Sequence, residues 1–305
     1  MKTFVRATEV WVPTRDRTSL ELASGLYHGL DDFRRVSESM RFDYGEGLPG
    51  IAWATGHPVV LNHLERAPFR RTHAATTAGL STGVAVPIFS GEFLSSVLVF
   101  FCGADPELVG AIELWHNDAS ESADLAWVDG FYGAASEFRW TSHKARFRAG
   151  HGLPGLVWAS GRPQLLPDLG RTPVFLRASD ALRIGIDRAL GIPCGEQGAH
   201  AYVLTMLSDP ATPIAHRLEI WTPDEQHESL VLQVGDCDLD PEYDGSPGSR
   251  IVAKGSGAIG RVLLTGIPTT SEDLEPEEAG AGLESVVAFP ILEEGRLSSV
   301  VALYF

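Results

Sequence analysis

The sequence predicts an α+β fold repeated three times along the chain, each copy an antiparallel sheet flanked by short helices. Three observations predict it. A strand-like Glu-x-Trp occurs as Glu9-Val10-Trp11, Glu113-Leu114-Trp115 and Glu219-Ile220-Trp221. A glycine-rich segment, Gly45-Glu46-Gly47-Leu48-Pro49-Gly50 running on to Gly56-His57-Pro58, returns at Gly150-His151-Gly152-Leu153-Pro154-Gly155 and, weaker, at Gly255-Ser256-Gly257-Ala258-Ile259-Gly260. A hairpin built on Val86-Pro87-Ile88 returns at Ile192-Pro193 and Phe289-Pro290-Ile291. Three markers in one order, three times over, are a duplicated module rather than an accident of composition. The copies are placed at residues 1–107, 108–213 and 214–305.

Each unit is then read in chain order. A β-branched and aromatic run opens it, and a second strand follows across a polar turn, at 19–26 in the first copy and 230–234 in the third. Gly45-x-Gly47 turns the chain into a short helix whose Leu48, Ile51 and Trp53 give it a packing face. Gly56 ends that helix, because glycine tolerates the left-handed cap and Pro58 forbids continuation. A short strand comes next, at 59–61 or 164–166. A loosely helical segment, 67–78 or 172–181, leads into the final hairpin.

Bulk composition narrows the function classes. At 305 residues and 44% hydrophobic the chain can bury a sizeable core. A net charge of −16 excludes a phosphate-tracking nucleic-acid binder, which needs clustered Lys and Arg. The charge is uneven: residues 217–305 carry 17 acidic against 5 basic side chains, a solvated face or a dock for a basic partner. Neither a signal-peptide stretch nor an apolar run of membrane-spanning length is present, so a cytoplasmic location without membrane contact is expected. Cys102, Cys194 and Cys237 are odd in number and widely spaced, and they read as reduced thiols.

The order of elements, with Gly-x-Gly-Leu-Pro-Gly-x-x-Trp-x-[Ser/Thr]-Gly-x-Pro, then Phe-x-Arg (Phe69-Arg70-Arg71; Phe175-Leu176-Arg177), then the Pro-Ile hairpin, resembles the GAF domain. The resemblance covers essentially the whole chain, although the third copy lacks the Leu-Pro, the Trp and the Phe-x-Arg. It implies a six-stranded antiparallel sheet with helices behind it and a small-molecule pocket in front, used for sensing or dimerisation. The helices that commonly precede the first strand and follow the last in that family have no room here. Yet the closing strands are apolar on both faces, Val97, Val99 and Phe101 alternating with Leu98, Phe100 and Cys102. Both faces must be covered by another repeat or another chain. With an odd number of sheets pairing back to back, one is left over, and self-association through sheet faces is expected.

No nucleophile elbow, phosphate loop or His-Glu-x-x-His motif occurs, so no enzyme activity, cofactor or metal is predicted. The cysteines fall in different copies, which argues against a multi-cysteine reductase site; a redox activity at Cys194 is kept as a third reading. Glu and Trp two residues apart share a strand face. They could wall a ligand site, or serve as core with the Glu accepting from backbone or an Arg. The ligand-binding candidates are Trp11, Arg70, Trp115, Arg177 and Cys194. The leading functional reading is a non-catalytic small-molecule-sensing or protein-interaction module that signals in trans. The alternative is a self-assembling structural protein, an oligomer or filament. The diverged third copy is expected to be the least able to bind what the others bind.

Overall fold

Residues 2–66, 69–103, 105, 107–195, 199–276, 278–280 and 282–305 are described by a computed structural model. Repeat 1 runs β1 (Val5–Pro13), β2 (Ser19–Leu26), α1 (Asp31–Glu38), β3 (Arg41–Asp43), α2 (Gly47–Thr55), β4 (Val59–Asn62), α3 (Thr72–Thr77), β5 (Leu80–Ser90) and β6 (Phe93–Gly103). Repeat 2 runs β7 (Val109–Asp118), β8 (Asp124–Gly133), α4 (Phe138–Lys144), β9 (Arg146–Arg148), α5 (Gly152–Ser160), β10 (Gln164–Leu166), α6 (Ala178–Arg183), β11 (Arg188–Cys194) and β12 (His200–Ser208). Repeat 3 runs β13 (Arg217–Pro223), β14 (Ser229–Cys237), β15 (Ile251–Ala253), α7 (Gly257–Thr265), β16 (Thr269–Ser271), β17 (Val286–Glu293) and β18 (Arg296–Tyr304). Each repeat is one six-stranded antiparallel sheet of the same topology, β3-β2-β1-β6-β5-β4 in the first.

The glycine-rich segment has a steric cause. A Cβ on Gly50 would fall inside the carbonyl oxygen of Asp43, and those on Gly155 and Gly260 would strike Arg148 and Ala253 in the same way. The helix therefore sits directly on the preceding strand, and only glycine permits that approach. Gly56 closes α2 in the left-handed region at φ 71°, its N–H donating to the Ala52 carbonyl.

Two expectations are corrected. The chain does not pass straight from the second strand to the glycine turn. In repeats 1 and 2 a short helix intervenes, α1 burying Phe33 and Ser37 and α4 burying Phe138 and Ser142. Among the described residues the matching stretch of repeat 3, 238–250, holds no helix. The loosely helical segment shortens to α3 and α6, with Ala67 and Pro68 outside the described residues.

The second correction concerns the sheet faces. One face of each sheet packs under its own helices: Val97, Val99 and Phe101 join a core with Leu48 and Phe33. The other faces do not pair two by two and leave one over. All three meet in a single core, where Leu98, Phe100 and Cys102 of β6 lie with Leu204 and Met206 of β12 and Val301 and Leu303 of β18. The repeats close into a ring, β4 against β8, β10 against β13 and β16 against β2, with β5, β11 and β17 meeting centrally. Odd number is no obstacle when the arrangement is threefold. A buried aliphatic or aromatic side chain is worth about 1.5–3 kcal/mol over an exposed one, so this shared core welds the repeats into one body. No helix among the described residues is long and apolar enough to cross a membrane.

Candidate functional site

In the space between each sheet and its helices lies a buried carboxylate. Glu9, Glu113 and Glu219 stand at equivalent positions on β1, β7 and β13 and are wholly buried. An isolated buried carboxylate is untenable, so each must be paired and hydrogen-bonded. In repeat 1 the partner is Arg71, which donates to Glu9 Oε1 at 2.5 Å and Oε2 at 3.0 Å and to Ser37 Oγ on α1. Trp11 Nε1 and Tyr27 Oη donate to the same carboxylate at 2.9 and 3.1 Å. Repeat 2 repeats the device. Arg177 donates to both Glu113 oxygens at 2.7 Å, while Ser142, Tyr132 and Thr205 complete the shell. Trp115 shifts its donation to Thr205 Oγ1 at 3.1 Å.

Aromatic rings seal both pairs. The Arg71 guanidinium lies 4.7–5.6 Å from the ring centres of Phe33, Phe42, Phe69, Phe101 and Trp11. That of Arg177 lies among Phe138, Trp115, Phe147 and Phe175 over a like range. Cation and ring quadrupole attract most strongly when both are desolvated. Burial works against ionisation of Glu113, but the Arg177 charge and the converging hydrogen bonds outweigh it and hold the carboxyl below the usual range. Burial, with the neighbouring Glu9 and Glu113 charges, pushes the Tyr27 and Tyr132 phenols well up, keeping them neutral donors. The space around these two carboxylates is thus occupied by the chain's own side chains, while a separate surface pocket of about 540 Å³ beside β2 and β3 is bordered by Arg70 and Glu46.

Repeat 3 is built differently. Arg250, from the loop before β15, stands 5.5 Å over Trp221 as Arg71 stands over Trp11, and donates to Glu219 Oε1 at 2.5 Å. A second arginine, Arg217 on β13 itself, has its Nε 3.1 Å from the same oxygen and stacks 3.7 Å from the Tyr304 ring centre. The strand positions of Tyr27 and Tyr132 are taken by Cys237, and no helix carries a counterpart of Phe33 or Phe138. Tyr243 reaches in from the 238–250 loop to supply the missing hydroxyl, 2.6 Å from Glu219. Val252 also stands where Phe42 and Phe147 stand, and the Phe-x-Arg that brings Phe69 and Phe175 is missing, so several rings are lost and Tyr243 replaces one. What remains is a cavity of about 300 Å³ bordered by Arg217, Arg250, Tyr243, Cys237 and, at its mouth, Asp240 and Glu242. Burial raises the Tyr243 phenol and the Cys237 thiol, so both face the cavity protonated at neutral pH.

The sequence-derived candidates are distributed unequally. Trp11, Trp115 and Arg177 lie in the buried clusters. Arg70 does not: its side chain is half exposed and pairs with Glu46 at 2.9 Å, and the arginine equivalent to Arg177 is Arg71. Alternation explains the correction, since counting two residues on from Phe69 and from Phe175 reaches Arg71 and Arg177. Cys194 belongs to none of these clusters. It sits on β11 in the central core, where burial pushes its thiol up to about 12. Cys102 is buried in that same core and Cys237 lies in repeat 3. The cavity-lining residues that sequence reasoning passed over are Arg217, Arg250, Tyr243 and Cys237, all in the repeat with the weakest motif. His57 stacks on Tyr202 of repeat 2 at 4.8 Å.

Comparison with known proteins bears on the fold. Residues 9–128, repeat 1 with the start of repeat 2, match the GAF domain family. Solved structures similar to single repeats include the GAF domain of A. aeolicus nlh2 (20% identity, 32% of this chain and 58% of that one, TM-score 0.26). Others are a free methionine-R-sulfoxide reductase from Neisseria meningitidis in complex with its substrate (22%, 32% and 52%, 0.26) and a GAF domain/HD domain protein from Geobacter sulfurreducens (14%, 34% and 65%, 0.28). The chain spans between half and two thirds of the length of each. No curated protein matches it.

Proposed function

From a chain of three tandem GAF-like domains, divided near 107/108 and 213/214, we propose a non-catalytic sensing module in which repeat 3 takes a small polar ligand and repeats 1 and 2 are scaffold. The observation that carries this is the contrast over Glu9, Glu113 and Glu219. Two of the three are closed by an aromatic-caged arginine, whereas the Arg217, Arg250 and Tyr243 that hold the third line a cavity of about 300 Å³. Small-molecule sites are concave, partly preformed and furnished with a few converging polar groups. Here the inner groups are guanidinium and phenol, and the mouth is acidic. A ligand with an anionic group inward and a cationic or hydroxyl group outward fits that polarity. This reading departs from the sequence expectation that the third copy binds least.

The sheet faces marked for self-association are the ones buried in the central core, so the reading keeps the chain a closed monomer and leaves partner proteins, in the cytoplasm, to the outer surfaces. The test is thermal stabilisation by a panel of small zwitterions and carboxylates, since a ligand that binds only the folded state raises apparent stability. A stabilising compound should lose its effect in Arg250→Gln and keep it in Arg70→Gln. Stabilisation that persists in Arg250→Gln refutes the site. Light scattering should report a mass near 32.9 kDa; a stable oligomer favours the structural alternative.

A further inference from the structure

The ring has three seams, and equivalent positions close them by different means. Between repeats 1 and 2 the Phe4 ring packs against Phe131 at 5.7 Å, and there is room for it because Gly110 and Gly133 carry no side chain: a Cβ on either would meet that ring. Between repeats 2 and 3 an ion cluster fills the seam. Arg188 of β11 bonds Asp236 at 2.5 Å and approaches Asp238, whose carboxylate also meets His216 Nδ1 at 3.1 Å. Between repeats 3 and 1 the equivalent positions hold neither device, and the seam is crossed instead by the His28 ring on Phe305 at 4.8 Å and by the Arg34–Glu272 ion pair. By strand register Ser285 stands where Arg188 stands, His28 where Asp238 stands, and Arg6 where His216 stands. The cross-seam arginine has become a serine, and its carboxylate partner has become a base. A cleft of about 540 Å³ results, lined by Arg6, His28, His216 and Ser285 with Lys2 and Arg34 at its edge.

Three features show a place for an occupant. Ser285 is buried to 3% exposure, yet its hydroxyl has no hydrogen-bond partner. Arg6 makes no hydrogen bond or ion pair among the described residues. Burial lowers the His28 pKa, so at neutral pH its ring offers a hydrogen bond without needing charge. Lys2 and Arg34 are already engaged, with Asp105 at 2.7 Å and Glu272 at 3.1 Å, the second pair crossing the seam. Asp31, Glu272 and Glu284 also line the cleft, but all three are exposed, where water and salt screen them.

We propose that this cleft binds a small multi-oxygen anion of the phosphate class, which clamps repeat 1 to repeat 3 as Arg188 and its carboxylates clamp repeat 2 to repeat 3. Arg6 supplies the charge-assisted bonds, and His28 and Ser285 supply the neutral ones. The site is independent of the repeat 3 cavity. Titration calorimetry and thermal unfolding with pyrophosphate, against sodium chloride of matched ionic strength, test it. The expected result is one pyrophosphate per chain, a raised unfolding temperature, and about tenfold weaker binding in both Arg6→Gln and His28→Asn. Arg250→Gln should bind pyrophosphate as wild type does. His28→Asn suits the left-handed backbone at φ 43° and keeps the measurement interpretable should Arg6→Gln fold poorly. Pyrophosphate acting no more strongly than matched chloride, or equally on wild type and Arg6→Gln, overturns the proposal.

Discussion

Repeats 1 and 3 bury the same carboxylate on the same strand and reach opposite results. In repeat 1 the arginine arrives from the helical side as part of a Phe-x-Arg, bringing Phe69 with it, while α1 delivers Phe33 and Ser37. Every hydrogen-bonding site on Glu9 is met within a dry cage. In repeat 3 the arginines come from a loop and from β13, the helix is absent, and Cys237 stands where Tyr27 stands. The carboxylate is still neutralised, but space remains. One scaffold can therefore be closed around its carboxylate or left with space beside it by changing who escorts the arginine.

The largest expected effect breaks the closed pair. Arg177→Ala strands Glu113 in a sealed apolar space, and removing one partner of such a pair costs about 3–5 kcal/mol. Arg250→Ala should cost less, about 1–2 kcal/mol, because Arg217 and Tyr243 remain on the Glu219 carboxylate. Denaturant melts of the two variants compare them directly, and equal losses would erase the distinction drawn between the repeats. Next in size, Gly155→Ala forces a methyl onto the Arg148 carbonyl and should lose about 1–3 kcal/mol. Such a loss separates the steric role of the motif from a ligand-binding one.

A pH series sharpens the same comparison. The Glu113 carboxyl is held below its ordinary value of 4.5, so the folded state binds that proton less readily than the unfolded state. The stability it contributes is present above pH 4.5 and is lost as pH falls through its lower folded value. In wild type stability should therefore drop below pH 4.5, and the part of the drop missing from an Arg177→Leu/Glu113→Leu variant measures this pair. Smallest is Tyr243→Phe. It removes one donor from Glu219 while both arginines stay, so stability should change by about 1 kcal/mol, whereas any repeat 3 ligand should bind detectably worse.

Much of this was legible in the residues. The three Glu-x-Trp strands, the glycine turns and the Pro-containing hairpins mark three sheets, and β2 and β10 fall at the residues the pattern indicates. α1 was not legible, because Asp31–Glu38 has one deeply buried apolar residue, Phe33, and no run of i, i+3, i+4 partners. Closure of the ring was hidden for another reason. Alternating apolar residues on β6 and β18 state that both faces are covered, but not by how many neighbours. Arg70 and Arg71 are adjacent, and only alignment on Phe69 tells which of them turns inward. The open cavity was least legible of all, since it follows from side chains that are missing.

The contrast between closed and open repeats is tested most directly by crystals soaked in a mixture of small zwitterionic and carboxylate compounds. The account predicts ligand density beside Arg250 and Tyr243 in repeat 3 and none within the rings around Arg71 or Arg177. Density inside either of those two aromatic cages, with the arginine displaced, would contradict it.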